Sequence, residues 1–134
     1  MNKKEIDING YALPPIVCLI GSTRFREQYR AINARLTSEC WIVLSCGIFV
    51  GDPEWHRAES RMLDELHKRK IDLADRVYCI NVGGYIGEST ADELYYARAT
   101  GKPIEFYEQP SDGFLRNFTN SEEMINDACL RLRD

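Results

Sequence analysis

Three short apolar runs constrain the fold of this 134-residue chain more than any other feature. Residues 16–20, 41–45 and 77–82 are almost entirely hydrophobic, and a shorter run covers 104–107. Strands that are apolar on both faces belong to sheets covered on both sides, which are typically parallel. Helical apolar spacing fills the intervals, at 24–39, 54–72 and 89–100, so strands and helices alternate. We therefore predict an α/β fold: a flavodoxin/Rossmann-like parallel sheet of four or five strands with helices on both faces.

The ends of the chain differ in character from this alternating part. The length predicts a single domain over residues 1–134, in which 1–15 form a polar lead-in that stops at two prolines. A capping pattern predicts a C-terminal helix at about 120–133. Within the alternating part, Ser22 or Thr23 is expected to cap the first helix.

Composition narrows the functional classes. Seventeen Lys and Arg against 21 Asp and Glu give a formal net charge of −4, which disfavours binding to a nucleic-acid polymer. No apolar run approaches the roughly 20 residues of a membrane helix, and the polar start lacks a signal-peptide core. The five cysteines include no C-x-x-C pair and the two histidines are far apart, so we predict neither a disulfide framework nor a metal site. We expect a cytoplasmic protein with no membrane partner and no cofactor, in which Cys18, Cys46 and Cys79 are small buried hydrophobes.

The first candidate site follows the first predicted strand. Gly21, Ser22, Thr23 and Arg24 lie at the carboxyl end of that strand, where ligands bind in parallel sheets. Glycine permits close backbone approach, while hydroxyls, helix N–H groups and an arginine can bind phosphate or carboxylate. The segment matches neither the dinucleotide fingerprint nor the P-loop, which disfavours a conventional dehydrogenase or ATPase. The alternative is a capped helix start with a surface arginine.

The second candidate site follows the third predicted strand. It combines a glycine-rich turn with hydroxyls and acids at the start of a helix, in Asn81, Gly84, Gly87, Glu88, Ser89, Thr90 and Glu93. Ser89 and Glu93 are four residues apart and therefore share a helix face. A carboxylate there, beside free backbone donors, can act as a nucleophile or as a general acid and base on a bound sugar. The alternative is that the acids only stabilise the positive end of the helix.

A third segment, residues 45–55, follows the second predicted strand. Phe49 or Trp55 could stack on a planar base from there, although both suit a structural role in anchoring the loop equally well. His67 lies in a strongly charged stretch, 64–69, and we expect it to be solvated.

In these segments the sequence resembles the nucleoside 2-deoxyribosyltransferase superfamily, in particular its small, uncharacterised bacterial and phage members. The resemblance spans roughly residues 16–107 and rests on Gly-Ser-Thr-Arg-Phe at 21–25, Ile-Asp-Leu-Ala-Asp at 71–75, and Gly-Glu-Ser-Thr-Ala-Asp-Glu-Leu-Tyr-Tyr-Ala at 87–97. It implies cleavage or exchange of the N-glycosidic bond of a nucleoside or its 5′-monophosphate. Glu93 would attack C1′ of the sugar and form a glycosyl-enzyme intermediate, as the nucleophile of a retaining glycosidase does.

The resemblance also has implications for binding and assembly. The first loop is similar to that of the related deoxynucleoside 5′-monophosphate N-glycosidases, which implies that Ser22 and Ser89 hold a phosphate. Members of the superfamily usually self-associate, often with a neighbouring subunit completing the site, so a homo-oligomer is implied. The expected partners are thus a small-molecule nucleoside or nucleotide and further copies of this chain.

Three positions depart from the family pattern and keep other functions open. Cys18 stands where the family usually carries a tyrosine, His67 where it often carries an aspartate, and Gly87 where it tends to carry another aspartate. A second hypothesis is therefore a non-catalytic nucleotide-binding or sensing module on the same scaffold. A third is hydrolysis or binding of an ADP-ribose-type ligand, since a fold does not fix a function.

Overall fold

Four strands form one sheet in the computed structural model of this protein, which describes residues 13–119. The strands are β1, Ile16–Gly21; β2, Ile42–Leu44; β3, Arg76–Ile80; and β4, Ile104–Phe106. They pair in parallel in the order β2-β1-β3-β4. The helices are α1, Arg26–Ser38; α2, Ser60–Leu73; α3, Glu88–Ala99; and α4, Asp112–Thr119. The predicted flavodoxin/Rossmann-like α/β fold with a parallel sheet is confirmed.

The central strand β1 contributes to two separate cores through alternate side chains. Val17 and Leu19 pack into a cluster with the apolar face of α1. Cys18 and Ile20 belong to a second cluster, with side chains from α2, α3 and α4. Because β1 is covered on both faces it needs no polar alternation, which explains the continuous apolar run in the sequence.

The first helix begins later than the sequence analysis predicts. α1 starts at Arg26, and Phe25 occupies its N-cap position without a side-chain capping hydrogen bond. The Phe25 amide donates to the Ser22 carbonyl at 3.1 Å, so residues 22–25 form a turn before the helix. The Ser22 hydroxyl oxygen accepts from the Arg24 amide and from its Nε. The prediction of Ser22 or Thr23 as the cap was wrong, because both residues belong to this turn.

Two further elements differ from the predicted pattern. The single helix predicted at 54–72 is divided into a 3₁₀ turn, Pro53–His56, and α2. Proline suits the first position of such a turn, where its fixed φ and missing N–H are tolerated. α4 was not predicted at all, and it packs Phe114 and Phe118 against the α3 side of the sheet. The helix predicted at 120–133, the lead-in over residues 1–12 and the fifth cysteine lie outside the described residues.

Gly21 closes β1 against the end of β3. It pairs with Ile80 in the parallel ladder and has a φ of 144°. A Cβ at this position would lie 2.5 Å from the Ile80 carbonyl oxygen, which is backbone held by the sheet. We expect Gly21→Ala to lower the free energy of unfolding by roughly 2–3 kcal/mol, measured by urea denaturation. Gly47→Ala is the matched control, since a Cβ there meets nothing within 4 Å, and an equal loss in both variants would contradict the prediction.

Candidate functional site

A cleft of about 500 Å³ opens at the carboxyl edge of the sheet, between the ends of β1 and β3. β2 lies on one side of β1, while β3 and β4 lie on the other, so this is the switch point at which ligands bind in open parallel sheets. Nine of the predicted site residues line the cleft: Gly21, Ser22, Thr23, Trp55, Gly87, Glu88, Ser89, Thr90 and Glu93. The loop after β1 and the start of α3, distant in sequence, therefore meet across one cavity.

Glu93 is buried in the wall of this cleft. It is the sixth residue of α3, and only 8% of it is exposed. Burial raises the pKa of Glu93 to about 8, and the negative charges of Asp64 and Asp92 act in the same direction, against a smaller opposing effect of Lys68. At neutral pH the carboxyl is therefore mostly protonated, and its reactive anion forms as the pH rises toward 8.

His67 lies beside Glu93 and is buried, contrary to the prediction that it is solvated. Its Nε2 is 3.6 Å from Glu93 Oε2 and 3.0 Å from the Leu19 carbonyl oxygen. Because a carbonyl can only accept, Nε2 carries the proton and donates. Burial, together with the charge of Lys70, lowers the pKa of His67, so the ring is neutral at pH 7. The solvated assignment was wrong because α2 turns this position of a charged segment toward β1.

Polar pairs connect α2 to α3 at the cleft. The Ser89 hydroxyl donates to Asp64 Oδ1 at 3.0 Å, and Lys68 Nζ lies 3.0 Å from Asp92 Oδ2. While the first bond holds, the Ser89 proton is directed at a carboxylate and is not available to a phosphate. Asp64 therefore gives this side of the cleft an acidic character, which the exposed Glu88 reinforces.

Arg24 borders the cleft without lining it. Its guanidinium carbon lies 4.2 Å from the ring centroid of Tyr85, and Nη2 donates to the Tyr85 hydroxyl at 3.0 Å. Its Nε donates to the Ser22 hydroxyl oxygen at 3.1 Å. Tyr85, which the sequence analysis missed, lines the cleft and is 43% exposed. The arginine thus joins the turn after β1 to the turn after β3 and places positive charge on the Ser22 side of the cavity.

Three other predicted site residues lie away from the cleft. Asn81 is fully buried, and its amide makes two hydrogen bonds of 2.8 Å to the backbone of Glu108. Phe49 packs edge-on against Tyr29, with ring centroids 5.2 Å apart. Gly84 lies in the exposed turn after Asn81 with a φ of 79°. The structure therefore gives Asn81 and Phe49 structural contacts and Gly84 a turn position that favours glycine.

α2 supplies six cleft residues that were not among the predicted site residues: Ser60, Leu63, Asp64, Leu66, His67 and Lys70. Asp64, His67 and Lys70 line the cavity at intervals of three residues, and Lys70 Nζ donates to the Ser45 carbonyl at 2.7 Å. Residues at this spacing share a helix face. That spacing was the only sequence pattern that groups these three residues. It does not indicate whether their helix face points to a ligand or to solvent.

The opposite wall of the cleft contains Tyr29 and Cys46. Tyr29 belongs to the core cluster beside α1 and also reaches the cavity, where its hydroxyl donates to the Gly21 carbonyl at 2.9 Å. Cys46 is half-buried there rather than fully buried as predicted, and burial raises the pKa of its thiol. Cys18 and Cys79 are fully buried, as predicted.

Residues 13–119 contain no helix long and apolar enough to cross a membrane, and no group of three or more His, Cys, Asp or Glu side chains placed to hold a metal ion. No protein-family model matches the chain, and a search of curated proteins finds no match. The chemistry of the cleft therefore carries the functional assignment.

Proposed function

We propose that this protein breaks the N-glycosidic bond of a nucleoside or its 5′-monophosphate, with Glu93 as the nucleophile, and transfers the sugar to water or to another base. The observation that carries the proposal is the Glu93 carboxyl, buried in the wall of a ligand-sized cleft at the switch point of the sheet. Burying a carboxyl costs free energy, and Lys68, whose positive charge acts on Glu93, pairs with Asp92 instead. An acid with a strongly shifted pKa inside a cleft is a good candidate for a functional group.

The proposed reaction consists of two displacements at C1′ of the sugar. In the first, ionised Glu93 forms an ester bond to C1′ while the C1′–N bond breaks, and the base leaves with the bonding electron pair and takes a proton from solvent. In the second, water or another base attacks C1′, the ester bond breaks, and the Glu93 carboxylate is restored; the attacking group loses its extra proton to solvent. Because the ionised form attacks, a pKa of about 8 predicts base release that increases with pH through the neutral range.

The cleft offers different groups to different parts of such a substrate. Ser22, Thr23 and the bordering Arg24 supply donors and positive charge suited to a 5′-hydroxyl or a phosphate. Trp55, 38% exposed, lines the cavity and is the better placed of the two predicted base-stacking residues. The acidic side at Asp64 suits neutral hydroxyl or amino groups, so we assign any phosphate to the Arg24 side.

A substrate panel tests the proposal. Deoxynucleosides, ribonucleosides, their 5′-monophosphates and NAD are incubated with the protein, and the free base is followed by chromatography; a parallel series with an added second base detects transfer. We expect base release from at least one deoxynucleoside or deoxynucleoside monophosphate, faster at about pH 8.5 than at about pH 6.5. No release from any compound would overturn the proposal, and nicotinamide release from NAD alone would favour an ADP-ribose-type ligand.

A non-catalytic nucleotide-binding module is the second candidate, and the ionisation state of Glu93 favours it. With a pKa of about 8, the carboxyl is mostly neutral near pH 7, and a neutral acid donates a hydrogen bond instead of attacking carbon. Calorimetry separates the two functions: binding of a nucleotide without turnover, retained in Glu93→Gln, would support the module.

The homo-oligomer and the cytoplasmic location stay predictions. An exposed apolar stripe on α2 supports self-association, with Met62 67%, Leu66 54% and Leu73 67% exposed. Exposed apolar patches are typical of interaction surfaces. Leu66 also lines the cleft, so a second copy seated on this stripe would border the proposed site.

A further inference from the structure

We infer that His67 is a positioning residue for Glu93: its Nε2–H, which donates to the Leu19 carbonyl, lies beside the carboxyl and favours the ionised form that attacks. The inference deepens the proposed function and rests on it. Nothing in the sequence patterns assigns His67 this role, and the proposed reaction in its simplest form does not use the ring.

The ring of His67 contacts both the Glu93 carboxyl and the central strand β1. Nε2 lies 3.0 Å from the Leu19 carbonyl oxygen and 3.6 Å from Glu93 Oε2, while Cys18 Sγ lies 3.7 Å from the same nitrogen. Leu19 and Cys18 belong to β1, which has a hydrogen-bonded neighbour on each side. The imidazole, which α2 carries, therefore lies between a side chain on α3 and the central strand.

The contact between His67 and the Glu93 carboxyl is not explained by burial of the ring alone. The bond to Leu19 by itself satisfies the Nε2–H of a buried neutral histidine, so burial of the ring does not require an acid beside it. Across residues 13–119, His67 is the one basic side chain within 4 Å of the Glu93 carboxyl. A donor shared between Leu19 and Glu93 can shift toward Oε2 when the carboxyl becomes negative, because hydrogen bonds to charged groups are stronger.

The charges around Glu93 determine how much the His67 N–H contributes to its ionisation. Charged groups act on the pair from two helices: Asp64, Lys68 and Lys70 on α2 and Asp92 on α3. Glu93 in turn acts on three titratable groups of other elements, Cys18 on β1, Cys79 on β3 and Tyr29 on α1. Burial raises the pKa of both thiols to about 12 and also raises the pKa of the phenol, so these three groups stay neutral. Asp64 and Asp92 oppose ionisation of Glu93, and the imidazole N–H is placed to favour it.

Two amide variants of His67 separate a positioning role from a structural one. The glutamine amide reaches the position of Nε2, whereas the shorter asparagine amide does not, so His67→Gln retains the donor and His67→Asn loses it at similar polarity. His67→Leu removes the donor together with the polarity. We expect His67→Asn and His67→Leu to release base about tenfold more slowly near pH 7 and to move the acid limb of the kcat/KM profile up by about one pH unit. His67→Gln should keep the limb near that of wild type.

A second readout does not depend on turnover. Carbon-13 NMR of the Glu93 side-chain carboxyl, assigned by its absence in Glu93→Gln, reports its titration directly. We expect the same ordering, with the midpoint higher in His67→Asn and His67→Leu than in wild type and His67→Gln. Coincident midpoints in all four proteins would overturn the inference, and the comparison of Gln with Asn suffices if the leucine variant does not fold. If wild type releases no base from the panel, the proposed function fails, while the NMR midpoints still decide the role of His67.

Discussion

Glu93→Gln is expected to reduce base release by at least about 1,000-fold, because the change removes the group that forms the covalent intermediate. The amide has the size of the protonated acid and retains a hydrogen-bond donor and acceptor. It cannot ionise, so no ester to C1′ forms. The initial rate of base release from the best substrate of the panel, measured near pH 8, gives the effect.

Glu65→Gln is the matched control for this measurement. It makes the same chemical change on α2, at an exposed position that is not among the residues lining the cleft, and should leave the rate within about twofold of wild type. A Glu93→Gln protein that keeps more than about a tenth of the activity would remove Glu93 as the nucleophile. A wild-type rate that falls as the pH rises through about 8 would instead identify Glu93 as an acid that donates its proton.

The predictable part of the site consists of residues that come directly after a strand, at the carboxyl edge of the sheet. Continuous apolar runs indicate strands buried on both faces, and the carboxyl ends of parallel strands share one edge. That reasoning suffices to bring Gly21, Ser22 and Thr23 together with Ser89 and Glu93 across one cleft, as the structure has them. The structure also explains why residue 21, at the end of β1, is a glycine: the Ile80 carbonyl leaves no room for a Cβ. The sequence alone does not show this.

The unpredicted parts depend on how helices rotate against the sheet. His67 is buried because the orientation of α2 places it against the Leu19 carbonyl. The charged residues around it in the sequence do not indicate that orientation. Ser89 resembles a phosphate ligand in sequence, but its partner in the structure is Asp64, 25 residues away. Asn81 looks like a ligand at a strand end, yet it holds the backbone of Glu108. In each case a polar contact to a residue distant in sequence determines the role of the side chain. A single sequence does not identify which distant residue that partner is.

The buried carboxyl of Glu93 should also make the free energy of unfolding depend on pH. Below the ordinary glutamate pKa of 4.5, Glu93 is protonated in the folded and in the unfolded chain. As the pH rises above that value the unfolded chain ionises, while the folded protein keeps the proton until about pH 8. The free energy of unfolding contributed by this group is therefore lost progressively over that range, by a total on the order of 3–5 kcal/mol.

Glu93→Gln removes this dependence, since an amide has no proton to release. We expect the variant to match wild type in stability near pH 4.5 and to exceed it increasingly up to about pH 8, with little further change above. Urea denaturation at several pH values measures the difference, and Glu65→Gln should show no such trend. His67, whose pKa burial lowers, makes both proteins less stable in acid and cancels in the comparison. A difference that does not grow between about pH 5 and pH 8 would mean that Glu93 is already ionised in the folded protein, and with it the proposed rise of base release toward pH 8 would be lost.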